Sequence, residues 1–152
     1  MRICQRLLSS ALLFSAMLQA QTLEPVIFKQ QLAIGSDLLV WVSESEEEPR
    51  SIGSYTVKAY AIKNPQLPFD VFIAGLVQPR DGTVEAIKSF DLNRDGDQEL
   101  LVIIRSAGTG SYLSADAFDI NPNGVTLIAS VSGLAKDADP VSALSDNLHQ
   151  PR

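Results

Sequence analysis

Two loops flank one short apolar run, and they hold most of the side chains whose types and spacing could do chemistry. The first is Asp91-Leu-Asn-Arg-Asp-Gly-Asp-Gln-Glu99. Asp91, Asn93, Asp95 and Asp97 place oxygens at alternate positions, Gly96 permits a sharp turn and Glu99 adds a carboxylate at the ninth position. A tight loop collects oxygen ligands for a hard cation such as Ca²⁺ in this way. An EF-hand is excluded, because the twelfth position is Val102 rather than Glu and the flanks read as strands. Two readings fit: a calcium loop joining strands, and an Asp/Asn/Gly turn whose carboxylates cap backbone N–H groups without metal.

The second loop is Ser106-Ala-Gly-Thr-Gly-Ser-Tyr112. Ser106, Thr109 and Ser111 offer hydroxyls, Gly108 and Gly110 permit positive φ, and Tyr112 ends the loop with an aromatic that could point outward. The same residues would also suit a wide hairpin with Tyr112 as an ordinary cross-strand aromatic. A phosphate cradle has weaker support still, since a P-loop needs a Lys and a following helix and neither is present. Covalent catalysis finds no support. His149 is the only histidine and lies near the C-terminus, there is no Gly-x-Ser-x-Gly elbow, and the only cysteine, Cys4, sits in the leader. Acids are plentiful enough for a carboxylate-pair glycosidase, but so small a domain leaves little room for a substrate cleft. The chain reads as a non-enzyme.

The elements that must position these loops are strands. Leu100 to Ile104 is an apolar run bounded by turn signals, the pattern of a buried strand. Before it, strands are expected over Pro25–Ile34, Leu38–Ser43, Ser54–Ile62, Phe69–Val77 and Val84–Phe90. Trp41 is expected in the core. Tyr55, Val57, Ala59 and Ala61 share one face of their strand, and Phe69, Val71, Ile73 and Val77 one face of theirs. Asp81-Gly82 reads as a hairpin turn that brings Val84–Phe90 back onto the preceding strand. The run Glu44-Ser-Glu-Glu-Glu48 before Pro49 reads as a solvated loop. Beyond the glycine loop, Tyr112–Ile120 and Val125–Val131 flank the turn Asn121-Pro-Asn-Gly124. About eight short strands at hairpin spacing, without long helical periodicity, predict an all-β antiparallel sandwich or barrel over residues 21–133. The tail over 134–152 is expected to be a short helix or disordered.

Residues 1–20 read as a cleaved signal peptide. Arg2 and Arg6 precede the apolar run Leu7–Leu18, and Ala20 stands before a polar change. No later stretch approaches the roughly 20 apolar residues of a membrane helix. Cleavage would remove two positive charges and no acids, taking the formal net charge from -6 to -8. That balance disfavours nucleic acid and anionic membranes as partners and favours a neutral or cationic one. Exposed sheet edges leave homodimer formation open.

The order Asp-Leu-Asn-Arg-Asp-Gly-Asp-Gln-Glu-Leu, apolar strand, Arg105-Ser-Ala-Gly-Thr-Gly-Ser-Tyr112, then Ala-Asp-Ala-Phe118, behind a secretory leader, resembles the bacterial periplasmic inhibitors of invertebrate-type lysozyme. The resemblance is strong over Ser89 to Ile120. It implies a small antiparallel β-sandwich, lysozyme as partner, no required cofactor, a periplasmic or secreted location, and a Ser-Gly-x-Tyr loop that enters the lysozyme substrate groove. Thr109 takes the serine position, Gly110 the glycine and Tyr112 the tyrosine. Threonine keeps the hydroxyl and adds a methyl, which a narrow groove must accommodate. In this picture the acidic loop would brace the base of the glycine loop. A secreted calcium-dependent binding module is the alternative, and a surface protein with neither activity is a third.

Overall fold

The structure, a computed structural model, describes residues 26–149. The leader expected over residues 1–20 lies outside the described residues. Among these, eight strands precede one helix: β1 (Lys29–Ile34), β2 (Leu38–Glu44), β3 (Ile52–Ala61), β4 (Val71–Asp81), β5 (Thr83–Phe90), β6 (Glu99–Arg105), β7 (Leu113–Asn121), β8 (Gly124–Leu134) and α1 (Pro140–His149). The strands form two four-stranded antiparallel sheets, β1-β2-β3-β4 and β5-β6-β7-β8, each a simple meander. The architecture is therefore the sandwich, not the barrel.

The main core lies between the sheets. Val40, Val42, Tyr55, Val57 and Ala59 face Leu100, Val102, Ile104, Phe118 and Ile120. Tyr55 is fully buried, meets Phe118 edge-on, and its hydroxyl donates to Asp116 Oδ2 at 2.5 Å. Burial, then the Asp116 charge, pushes the Tyr55 phenol far above its ordinary range, so it remains a donor at any working pH. A second core lies outside the β5–β8 sheet. Leu101, Ile103, Ala115, Ala117 and Ala129 face outward there, and the small alanines let α1 approach closely enough to bury Leu144. β6 is thus covered on both faces, which is why its sequence is a continuous apolar run rather than an alternating one.

Three expectations fail, each for a local reason. Asp81-Gly82 does not close a hairpin: β4 pairs with β3, β5 pairs with β6, and the turn carries the chain from one sheet to the other. Nor do Phe69, Val71, Ile73 and Val77 share a face. Phe69 precedes β4, and Ala59 pairs with Ala74 while Tyr60 pairs with Phe72, so Ile73 is an extra residue that shifts the alternation. Ile73 packs on the core and Val77 is exposed. Trp41 also departs from its expected place. It is half-buried on the outer face of the first sheet, edge-on to Phe69 at 6.1 Å, because no helix among the described residues covers that face. The tail forms a helix from Pro140, capped by Asp139, whose carboxylate accepts the amides of Val141 at 3.1 Å and Ser142 at 3.4 Å.

Candidate functional site

The two loops singled out above emerge from opposite ends of β6. Glu99 opens the strand and Arg105 closes it. At about 3.4 Å per residue that separates them by roughly 20 Å. The acidic loop therefore does not brace the glycine loop.

The glycine loop joins β6 to β7 and has a closed neck. The Ser106 N–H donates to the Tyr112 carbonyl at 2.9 Å, and the Ser111 N–H donates to the Gly108 carbonyl at 3.0 Å. Gly108, Thr109 and Gly110 form an exposed tip, whereas Ser106 and Ser111 are half-buried. The Ser106 Oγ is buried without a hydrogen-bond partner among the described residues. Neither glycine takes the left-handed conformation that its type would permit; Ser111 does, with φ 47°. The two glycines are not equivalent. A Cβ on Gly108 would meet nothing within 4 Å, but one on Gly110 would fall 2.4 Å from the Tyr112 ring. The ring lies across Gly110, and Tyr112 is still 56% exposed.

Residues outside the loop hold its neck. Arg105 forks onto Glu85, its Nε and Nη2 reaching both carboxylate oxygens, and its Nη1 donates to the Ser111 carbonyl at 2.9 Å. The guanidinium holds the Glu85 carboxyl below its ordinary range. Gly82, at φ 114°, backs against the same neck; a Cβ there would lie 2.0 Å from the Arg105 carbonyl oxygen. The Gly82 N–H donates to the Ser51 carbonyl at 2.9 Å, which brings the acidic β2–β3 connection to this end of the sandwich. Within it Glu46 pairs with Lys29, while Glu48 accepts the Ser54 hydroxyl at 2.8 Å.

At the other end the acidic loop is knitted to itself. Asn93 Oδ1 accepts the Asp95 N–H at 2.9 Å, Asp95 Oδ1 the Asp97 N–H at 2.8 Å, and Asp91 Oδ2 the Gly96 N–H at 3.1 Å. Those side-chain oxygens serve as backbone caps. Among the described residues, no group of three or more His, Cys, Asp or Glu side chains is gathered to hold a metal ion. Glu99 is buried and accepts the Leu92 N–H at 2.7 Å, and the Ser145 hydroxyl of α1 donates to the Leu92 carbonyl at 3.3 Å. The loop docks the helix.

Burial, only partly offset by the Leu92 amide, and the charges of Asp95 and Asp91 push the Glu99 carboxyl above its ordinary range. In the window between the unfolded and the raised folded pKa the folded state binds more protons, so stability falls as pH rises through it. Glu99→Gln keeps an oxygen for the Leu92 amide and loses the charge. It is expected to flatten the dependence of the melting temperature on pH just above the ordinary carboxylate range, with no loss of stability at neutral pH. An unchanged slope in the variant would place the dependence on other groups.

The family model for PliI, the periplasmic lysozyme inhibitor of I-type lysozyme, matches residues 27–148, which is well over half of the chain. The chain belongs to this family. No curated protein matches it. Among solved structures, PliI-Ah of Aeromonas hydrophila is 50% identical, with a TM-score of 0.74 over 77% of this chain and 98% of that one. The A. hydrophila PliI crystallised in complex with Meretrix lusoria lysozyme is 48% identical, with a TM-score of 0.73 over 82% of this chain and 98% of that one.

Membership in the PliI family makes the chain a periplasmic inhibitor of I-type lysozyme and not an enzyme. The residues that sequence reasoning missed are those that carry the loop: Gly82, Glu85 and Arg105. Glu85 is the extra residue of a bulge, since Val84 pairs with Ile104 and Ala86 with Ile103. A bulge re-aims a side chain without leaving a local signature in the alternation.

Proposed function

We propose that the chain inhibits I-type lysozyme by inserting the β6–β7 loop, residues 106–112, into the substrate groove of the enzyme. A lysozyme works with a protonated acid and a second carboxylate lining an open groove. The Thr109 and Tyr112 hydroxyls are donors for those carboxylates, and the Tyr112 ring supplies apolar area. No reaction on the inhibitor is needed. The observation that carries this reading is the exposed Tyr112 on a loop pinned at its neck, in a chain whose relative was crystallised with Meretrix lusoria lysozyme. A formal charge of -6 in the full chain, with Glu46 and Glu47 exposed at the loop's end of the sandwich, would speed encounter with a basic enzyme. Calcium has no part in this mechanism.

The test is lysis of a peptidoglycan suspension by invertebrate, chicken and goose lysozymes, each with the purified mature protein, with and without EDTA. The expected result is inhibition of the invertebrate enzyme at least about 100-fold stronger than of the other two, about 2.7 kcal/mol of discrimination, and indifferent to the chelator. Equal inhibition of all three would remove the I-type groove as the determinant. Inhibition lost in EDTA and restored by calcium would favour the reading of the acidic loop as a metal-dependent module.

A further inference from the structure

Three polar contacts surround the peptide that joins Ser111 to Tyr112, and the one from outside the loop comes from Arg105. The Ser111 N–H donates to Gly108, the Tyr112 carbonyl accepts from Ser106, and the Ser111 carbonyl accepts from Arg105 Nη1 at 2.9 Å. The same Nη1 lies 3.5 Å from the Lys136 carbonyl, just past the end of β8. Ser111 sits at φ 47°, a conformation that a serine keeps only when its surroundings over-determine it. Its amide is held from within the loop. Among the described residues, its carbonyl is held only by the guanidinium.

The sheet is shaped around that guanidinium. β5 bulges at Glu85, which turns the carboxylate toward Arg105, and the fork onto both Glu85 oxygens fixes the plane of the guanidinium. A second irregularity flanks it in β8, where Leu134 pairs with Leu113 and Val131 with Ala115, an extra residue beside Gly133 at φ 68°. That irregularity brings the chain after β8 back to Arg105. An exposed ion pair alone would contribute little. Here the pair leaves the third guanidinium nitrogen free to grip the loop, which a lysine in its place could not do while also holding Glu85.

We propose that Arg105, oriented by Glu85, is the positioning residue of the inhibitory loop: it locks the Ser111–Tyr112 peptide so that the Tyr112 ring stays over Gly110 and is preset for the lysozyme groove. The proposal rests on the function given above for that loop. Without Arg105 the loop samples other conformers, and its apparent affinity falls by the fraction of time spent in the competent one.

The test uses the mature protein, native and as Arg105→Lys and Glu85→Gln, with backbone order parameters of residues 107–112 measured in the free state and affinity measured for an I-type lysozyme. In Arg105→Lys the order parameters of Ser111 and Tyr112 are expected to fall from about 0.85 to below about 0.6, with the strands unchanged. The lysozyme Kd rises about tenfold. Glu85→Gln shifts both in the same direction by less. In a Tyr112→Ala background Arg105→Lys changes Kd by less than about twofold, because there is no ring left to position. A loop that stays rigid in Arg105→Lys overturns the proposal whether or not the protein binds lysozyme. The same loss of affinity in both backgrounds overturns it too, since Arg105 would then touch the enzyme directly. A native protein that fails to bind the lysozyme sinks the proposed function, and the order parameters still decide whether Arg105 positions the loop.

Discussion

Tyr112→Ala is expected to weaken inhibition of I-type lysozyme by at least about 100-fold while leaving the melting temperature of the free inhibitor unchanged. The size of the effect follows from where the residue stands. Tyr112 is 56% exposed, its hydroxyl makes no hydrogen bond within the described residues, and the neck beneath it is already closed by backbone bonds. Its removal therefore costs the fold little, whereas a rigid aromatic with a polar tip is the type of side chain that dominates an interface. Tyr112→Phe separates the two contributions. It keeps the ring and loses the donor, and should retain most of the apolar contact at a cost of about tenfold, in line with about 1–1.5 kcal/mol for one hydrogen bond. The glycines supply an internal control. Gly110→Ala puts a Cβ 2.4 Å from the ring and must displace it, so inhibition falls although Tyr112 is intact. Gly108→Ala meets nothing within 4 Å and should be nearly silent. Inhibition curves for the four variants against one I-type lysozyme check the set, and a Tyr112→Ala protein that inhibits within about threefold of the native one would remove the loop from the mechanism.

What could be read from the residues follows from how local the causes are. The apolar run of β6 announced a strand buried on both faces because each side chain meets a core of its own, Val102 toward the other sheet and Ile103 toward α1. The loop of small residues ending in Tyr112 was visible because its composition is unlike any strand. Helix α1 could have been read more firmly, since Asp139 before Pro140 is an N-cap followed by a proline at the first turn, and Val141, Leu144 and Leu148 fall on one face. Other features had no local signal. Asp81-Gly82 carries the same chemistry in a hairpin and in a change of sheet, and the strands that decide which, β3 for one arm and β6 for the other, lie far from it in sequence. Glu85 and Arg105 are separated by 20 residues and meet only because β5 bulges. The error about the acidic loop was one of topology: adjacency in sequence across a seven-residue strand places two loops at opposite ends of the sandwich, not side by side.

Arg80→Ala is expected to destabilise the fold by about 3–5 kcal/mol, a large part of the roughly 5–15 kcal/mol that holds a domain of this size together. Arg80 is 4% exposed and lies at the change of sheet. Its Nε donates to the Ser54 carbonyl at 3.1 Å, its Nη2 to Pro49 at 3.1 Å, and its Nη1 to Arg50 at 3.0 Å and to Gly82. Beside it Glu44, equally buried, comes within 3.4 Å of Nε while accepting the Val84 N–H at 2.6 Å and the Phe28 N–H at 3.4 Å. One ion pair thus joins the β2–β3 connection, the edge of the first sheet and the first residues of the second. Removing the cation leaves a carboxylate in the interior and several carbonyls without a donor, the costly way to break a buried pair. Glu44→Gln in the Arg80→Ala background removes the stranded charge and keeps an acceptor for Val84, so it should recover part of the loss. Replacing both residues by leucine should not recover it, because the backbone groups they satisfy would stay unpaired. Urea unfolding of the three variants measures this ordering, and an Arg80→Ala protein within about 1 kcal/mol of native would mean that water fills the site at little cost. The same substitution reaches the β6–β7 loop, because the hydrogen bond from Arg80 to the Gly82 carbonyl helps to seat the glycine on which the Arg105–Ser106 neck rests. The β6–β7 loop should therefore loosen at denaturant concentrations below the global transition, a sequence that amide exchange at Ser111 and Tyr112 would resolve.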